Sequence, residues 1–291
     1  MGKFTKYLFK SILLFGMLFS ASVLQAQQVV GDSYEKAKRE GKGTILVTYV
    51  ETPGFLYKEN TGRLTGVCMD IMYDFIDYVE ANHGIELRLK IAGNGSSFRA
   101  MYDGAKGGKD GVFGLGNVTI TDARRAEVQF SPAIIKNYSV LVSHNSVPTL
   151  TNMKDFEKVF KGYTAYTGRG TLNERRILEM REKYYPGLKI VQTSSSPEVL
   201  AKVINNNKSF SYLDLAFYLD ALKNRHPLKR HEIADTKSEE FGIVMPMNSD
   251  WAPLMQEFFD ANGGYTNSQE YKQILIEHLG IEAIKLIEEA K

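Results

Sequence analysis

Residues 110–132 read DGVFGLGNVTITDARRAEVQFSP, and a buried strand begins within the first four of them, Asp110–Phe113. Upstream, Thr44–Thr48 is a β-branched apolar run of strand length, and Glu86–Ile91 alternates polar and apolar residues as a strand does. Between these two runs, residues 70–79 carry apolar side chains at helical spacing, with an aspartate placed to cap the start. Strands separated by helices favour a mainly parallel sheet with flanking helices.

The alternation of strands and helices breaks at the polar stretch Ser143–Pro148 and then restarts. Residues 233–237 cross back, and 241–245 are again apolar and strand-like. Helices are predicted at 153–160, 172–184 and 197–205, and strands at 162–166, 188–192 and 210–213.

A first lobe that is interrupted by a second lobe leaves a hinge and a cleft between them. Small ligands usually bind in such clefts, at the carboxyl ends of parallel strands. The predicted first lobe comprises 27–143 together with 237–291, and the predicted second lobe comprises 144–236.

The N-terminus has the pattern of a secretory signal peptide over residues 1–26. Three lysines precede an apolar run from Ile12 to Leu24, and Ala26 supplies a small residue at the expected cleavage site. The alternative is a membrane anchor, but the run is broken by serines and is shorter than the roughly 18 residues that a spanning helix needs. We therefore expect an exported, periplasmic protein that begins near Gln27.

Composition excludes several classes of function. The net charge of +2 is too small to indicate binding to nucleic acid or to an anionic membrane. Cys68 is the only cysteine, so neither an internal disulfide nor a multi-cysteine zinc site is available, and the five histidines lack ligand spacing. The glycine-rich turns lack the continuation of a nucleotide-binding loop. We expect a monomer with no metal and no cofactor.

Five fragments, in order along the chain, resemble the family 3 periplasmic solute-binding proteins, which serve polar amino acid ABC importers. They are residues 55–70 (FLYKENTGRLTGVCMD), 110–113 with 119–124 (DGVF and TITDAR), 128–132 (VQFSP), 160–162 with 170–171 (FKG and GT), and 211–214 (SYLD). The resemblance implies the two-lobe periplasmic-binding-protein fold of type II. It also implies capture of an amino acid or a similar small carboxylate for a membrane permease.

Arg124 matches the arginine of the family's binding motif, so the resemblance implies that it holds the carboxylate of the ligand. A guanidinium suits this role because its planar fork binds carboxylates bidentately. Thr119 adds a hydroxyl and a backbone N–H. Thr171 does the same from the opposite lobe, just before a helix whose positive end favours anions. Without the motif, Arg124 beside Arg125 would be interpreted as a surface arginine, and both threonines as ordinary strand and helix-start residues.

The ammonium group of an amino acid needs an acceptor, and Asp214 is the candidate by its position in the resemblance. Its alternative role is to cap the helix that follows. Asn117 and Tyr49 are candidates to line the pocket, and Thr52 stands where the family often has an aromatic residue over the ligand. The segment between Asp110 and Thr119 is longer than is usual in the family, so the resemblance does not identify the ligand.

Two other functions remain open at this point. The family resembles cyclohexadienyl dehydratases, and an enzyme of that kind would need a general acid in the cleft, for which Glu51 is the nearby carboxylate. A sensory ligand-binding module is the second alternative. The transport receptor, which has no catalytic residues, is the reading that we favour.

Overall fold

The computed structural model describes residues 28–236, 239–281 and 285, so the predicted signal peptide lies outside the described residues. The chain forms two α/β lobes, and each is built on a five-stranded sheet. The first sheet has the order β4-β1-β5-β14-β6 and consists of β1 (Lys42–Tyr49), β4 (Glu86–Ile91), β5 (Val112–Leu115), β6 (Val128–Phe130) and β14 (Val244–Pro246). A small hairpin in this lobe pairs β2 (Tyr57–Lys58) with β3 (Leu64–Thr65).

Helices cover the first sheet on both faces. They are α1 (Tyr34–Glu40), α2 (Val67–His83), α3 (Phe98–Lys106), α4 (Asp122–Arg125), α9 (Ala252–Asp260) and α10 (Gln269–Leu279), with short 3₁₀ turns at Ala261–Gly263 and Tyr265–Asn267. The core between them contains Trp251, Phe75 and Phe113, all fully buried.

The second sheet has the order β10-β9-β11-β8-β12. Its strands are β8 (Ser139–His144), β9 (Thr164–Gly168), β10 (Lys189–Thr193), β11 (Ser209–Asp214) and β12 (Leu228–Arg230). Its helices are α5 (Phe156–Phe160), α6 (Leu172–Tyr184), α7 (Ser196–Asn205) and α8 (Leu215–Lys223), with 3₁₀ turns at Met153–Asp155 and Glu232–Ala234.

One strand in each sheet runs against the other four: β14 in the first and β8 in the second. The prediction of mainly parallel sheets with flanking helices is therefore confirmed. Among the described residues, no helix is both long enough and apolar enough to cross a membrane.

The chain passes between the lobes twice, and the two passages lie side by side. Ile135–Asn137 (β7) pairs in antiparallel fashion with Glu239–Phe241 (β13), with Asn137 opposite Glu239. Because β8 begins at Ser139 and already belongs to the second sheet, the strands change sheet a few residues before the predicted boundary at 143.

Helix α2 begins earlier than the sequence indicated. Asp70 was expected to cap it, but the helix starts at Val67 with Gly66 as its N-cap. Gly66 has a φ of 120°, and a Cβ there would lie 2.7 Å from the carbonyl of Phe55, so the tight approach requires glycine. The Asp70 carboxylate instead lies 2.6 Å from Nε2 of His278 and ties α2 to α10.

Candidate functional site

A cleft between the lobes collects polar side chains that follow the carboxyl ends of parallel strands. Strands β1 and β5 lead into the first lobe's side of the cleft, and β9 and β11 lead into the second lobe's side. This edge of the sheets is where ligands bind in open α/β folds. Of the residues singled out in the sequence, the cleft brings together Thr52, Asn117, Thr119, Arg124, Thr171 and Asp214.

The guanidinium of Arg124 lies over two aromatic rings. Its Cζ is 5.0 Å from the ring centre of Phe98 and 5.6 Å from that of Tyr102, and Nη1 donates to the carbonyl of Thr119 at 2.8 Å. Burial lowers the pKa of Arg124, while Tyr102 and Asp214 oppose that shift. No carboxylate forms an ion pair with Arg124 in the described part of the chain. The guanidinium is thus positioned, and none of the described carboxylates forms an ion pair with it.

Asp214 is the last residue of β11 and occupies the N-cap position of α8, but its side chain does not cap that helix. Its Oδ1 accepts hydrogen bonds from Ser139 Oγ at 2.9 Å, Asn173 Nδ2 at 3.3 Å and Asn137 Nδ2 at 3.5 Å. The carboxylate is 7% exposed and lines the cleft. The helix-cap interpretation therefore does not describe this side chain.

Asn117 connects the two lobes across the cleft. Its Nδ2 donates to Oδ2 of Asp214, and its Oδ1 accepts a hydrogen bond from Thr52 Oγ1 at 2.9 Å. The preceding Gly116 has a φ of 150°, and a Cβ there would lie 2.5 Å from a methyl group of Val50. Glycine thus lets the loop after β5 approach the end of β1, which brings Asn117 to Asp214.

Thr119 presents its backbone to the cleft. It forms a bridge with Phe241 in which the hydrogen bonds are made by the flanking residues, so its own N–H and C=O point away from that partner. The carbonyl accepts from Arg124, and the hydroxyl lies 3.4 Å from Oε2 of Glu239. The backbone N–H therefore remains directed toward other partners.

Thr171 caps the N-terminus of α6. Its Oγ1 accepts from the N–H of Glu174 at 3.2 Å and donates to the carbonyl of Gly168 at 2.8 Å. The hydroxyl is therefore committed to the helix start. What Thr171 offers the cleft is the positive end of a 13-residue helix.

Tyr49 does not line the cleft, contrary to the expectation from the sequence. Its ring is 5% exposed and belongs to the first lobe's core. Gly95, with a φ of 72°, lies so close that a Cβ would be 2.3 Å from the ring. Lys58 Nζ lies 5.8 Å from the centre of the ring.

Sequence reasoning missed six residues that line the cleft: Val50, Phe98, Leu172, Asn173, Arg176 and Ser196. Phe98 begins α3 and is 7% exposed beneath Arg124. Asn173 and Arg176 lie in the first turns of α6, three residues apart and so on one face of the helix. The capping pattern at Thr171 fixed where α6 starts, and from that start Leu172, Asn173 and Arg176 form the face toward the cleft. That helical periodicity was the signal from which these cleft residues of α6 could have been predicted.

Glu51 lines the mouth of the cleft and is paired. Its carboxylate lies 2.8 Å from Nζ of Lys58, and both side chains are partly exposed. A proton-donating role for Glu51 would require this pair to break. Among the described residues, no cluster of His, Cys, Asp or Glu side chains is suited to holding a metal ion.

The cleft is nearly filled by its own side chains. Its open volume is about 20 Å³, which is room for one or two water molecules. Even the smallest amino acid is several times larger than a water molecule. A ligand can therefore enter only if the lobes separate and the contact between Asn117 and Asp214 opens.

No protein-family model matches the sequence, and no curated protein matches it either. Solved structures do match. The arginine-, lysine-, histidine-binding protein ArtJ from Geobacillus stearothermophilus superposes with a TM-score of 0.65 at 18% identity, over 81% of this chain and 95% of that one. An ABC uptake transporter substrate-binding protein from Streptococcus pneumoniae, with bound histidine, gives 0.67 at 16% identity, over 86% and 97%.

A third similar structure is the ancestral amino acid-binding protein AncCDT-1, a precursor of cyclohexadienyl dehydratase. Its TM-score is 0.65 at 15% identity, over 84% of this chain and 98% of that one. Each alignment spans nearly the whole of the other protein and both of the lobes described above. The chain has the two-lobe periplasmic-binding-protein fold.

Proposed function

We propose that this chain is a solute-binding protein that captures an amino acid, or a similar small carboxylate, in the cleft between its lobes. The observation that carries the proposal is the placement of Arg124 and Asp214 on opposite walls of one cleft. Arg124 lacks an anionic partner among the described residues, and Asp214 faces the cleft. A partly buried cation and a buried anion on opposite walls suit a zwitterion, whose two charges would otherwise be costly to bury.

Arg124 is the proposed partner of the ligand's carboxylate. Its guanidinium is fixed by the carbonyl of Thr119 and by the ring of Phe98, so little side-chain freedom is lost on binding. The N–H of Thr119 and the N-terminus of α6 at Thr171 supply additional attraction for the anion. These three groups form the carboxylate half of the proposed site.

Asp214 is the proposed partner of the ligand's ammonium group. In the closed cleft its Oδ2 is occupied by the amide of Asn117, which in turn is held by Thr52. An ammonium group would exchange with that amide, giving a hydrogen-bonded ion pair with the carboxylate in place of a hydrogen bond from a neutral donor. Asn117 then becomes free to contact the ligand from the first lobe.

Export and delivery complete the proposal. A protein with this signal pattern and fold would work in the periplasm as a monomer and pass its ligand to the permease of an ABC importer. No catalytic step is part of this function. The neighbour described as a precursor of a dehydratase is itself an amino acid-binding protein, and Glu51 of this chain is engaged by Lys58.

A thermal-shift screen of the mature chain tests the proposal. A ligand that binds only the folded state raises the melting temperature, by an amount that grows with its concentration relative to Kd. The panel contains all the amino acids, their deaminated analogues and small dicarboxylates. We expect at least one α-amino acid to stabilise the protein. A flat response to the whole panel would contradict the proposal.

A further inference from the structure

An ion pair beside the cleft connects the cleft lining to β13, one of the two strands where the chain passes between the lobes. Arg176 of α6 lines the cleft, and its Nη2 donates to Oε1 of Glu239, the first residue of β13. The two side chains are only 14% and 19% exposed. Glu239 itself is not among the residues that line the cleft. It therefore acts on the cleft through two lining residues, Arg176 and Thr119, whose hydroxyl lies 3.4 Å from its Oε2.

Arg176 is also connected to Asp214 by hydrogen bonds through two neutral side chains. Its Nη1 donates to Ser139 Oγ at 2.9 Å and to Asn173 Oδ1 at 2.5 Å, and both of those residues donate in turn to Asp214 Oδ1. Burial lowers the pKa of Arg176, and Asp214 is the first of the groups that oppose this shift. The charge of Arg176 thus interacts electrostatically with Asp214, inside the proposed site.

Two of the four charged side chains that line the cleft form an ion pair with a residue outside its lining. Glu51 is neutralised by Lys58, and Arg176 by Glu239. Arg124 and Asp214 remain, and the proposed function assigns them to the carboxylate and the ammonium group. An acidic side chain on the ligand would find no further uncommitted cation among the described cleft residues, and a basic side chain would find no uncommitted carboxylate.

We propose that Glu239 determines the specificity of the cleft. By neutralising Arg176, it makes the cleft selective for α-amino acids whose side chains are polar but uncharged. The proposal rests on the proposed function above. The remaining lining supports it, because a hydroxyl or amide side chain would meet the neutral polar groups of Thr52, Asn117 and Ser196. A charged side chain would instead be buried without a partner, which is costly.

Calorimetric titration of the full mature chain tests this selectivity. The ligands are serine, asparagine and glutamine, their acidic counterparts aspartate and glutamate, and lysine. For the wild type we expect the best uncharged ligand to bind about tenfold more tightly, or more, than either acid or lysine. Glu239→Gln keeps the shape of the side chain but leaves the charge of Arg176 without its partner. The affinity for the uncharged ligand divided by the affinity for its acidic counterpart should therefore fall by about tenfold or more.

Two further variants separate specificity from general effects. Glu240→Gln removes a neighbouring, exposed carboxylate and should leave the ratio unchanged. The double variant Arg176→Gln with Glu239→Gln removes both charges and should restore the preference for the uncharged ligand, even if Glu239→Gln alone folds poorly.

Several results would overturn the inference while leaving the function intact: a wild type that prefers an acidic or basic amino acid, equal shifts in Glu239→Gln and Glu240→Gln, or a ratio that none of the variants moves. A wild type that binds neither an amino acid nor any small carboxylate would instead refute the proposed function, and the inference with it.

Discussion

The imidazole of His231 is buried against the hydroxyl of Ser143, with Nε2 2.8 Å from Oγ. Its Nδ1 accepts the backbone N–H of Leu150 at 3.0 Å, which assigns the proton of the neutral ring to Nε2. Burial, and secondarily Lys229, lowers the pKa of His231 to about 4. As an uncharged side chain, His231 therefore connects β8 and the segment that follows it within the second lobe.

This pKa makes stability depend on pH. In the unfolded chain the histidine titrates near its usual pKa of about 6.5, so between pH 6.5 and 4 the unfolded state binds more protons. Stability from this group is complete above pH 6.5 and is lost as the pH falls, by about 2 kcal/mol at pH 5. Urea unfolding from pH 8 to 4.5 measures the loss. His231→Gln should remove this component of the pH dependence, whereas the partly exposed His144→Gln should retain it.

Arg124→Ala should abolish measurable binding of the amino acid. Removing one member of a buried charge pair costs about 2–5 kcal/mol, or tens- to thousands-fold in affinity. Arg125→Ala is the matched control, because Arg125 is exposed on the same turn and its Cζ lies 6.0 Å from the ring of Phe130. Calorimetry on both variants measures the difference. Equal losses would indicate general electrostatics, and tight binding by Arg124→Ala would mean that the carboxylate lies elsewhere.

Asp214→Asn should discriminate between ligands with and without an ammonium group. The substitution removes the charge but keeps the shape, so affinity for the α-amino acid should fall by about 2–5 kcal/mol. The deaminated analogue binds without that contact, and its affinity should change little. Calorimetric titration with the two ligands gives the comparison. Parallel losses for both would show that Asp214 supports the fold of the cleft and does not bind the ammonium group.

Ligand should shift the population toward closed lobes. The closed cleft has room for only one or two water molecules, so a ligand has to bind to an opened form of the protein, and its contacts with both lobes then favour closure. We place the hinge at the paired strands β7 (Ile135–Asn137) and β13 (Glu239–Phe241). Small-angle scattering should give a smaller radius of gyration at saturating ligand. Superimposable profiles with and without ligand would contradict closure by hinge bending.

Export should remove residues 1–26. The charged start, the short apolar run and Ala26 motivate this prediction. N-terminal sequencing of the protein recovered from the periplasm should begin near Gln27. Material that still begins at Met1 or Gly2 would show that the segment is retained.

The fold was accessible from the sequence because strand and helix periodicities are local. Apolar spacing over Ile71, Phe75 and Val79 identified α2, and all three side chains are buried. Its start was placed too late, because the close approach of Gly66 to Phe55 depends on tertiary contacts. The sheet that β8 joins was not accessible from the sequence for the same reason, since only the pairing of its strands in the folded chain shows it.

The site was accessible only in part. A motif identified Arg124. It did not identify Phe98, whose ring lies under the guanidinium, because nothing in the sequence distinguishes Phe98 from other residues at the start of a helix. Arg176 follows Arg175 in a charged helix, and only the direction of that helix puts one in the cleft and leaves the other exposed. Tyr49 is not among the residues that line the cleft, and Gly95, far along the chain, packs against its ring.

The position of β14 in the first sheet has a consequence for how the protein is assembled. This strand, Val244–Pro246, lies between β5 and β6, so the first sheet stays split until the chain beyond residue 246 is available. The second sheet takes all five strands from residues 139–230. When the chain emerges from its N-terminus, the second lobe therefore has all of its strands first. The lobe that begins the sequence is the last to be completed.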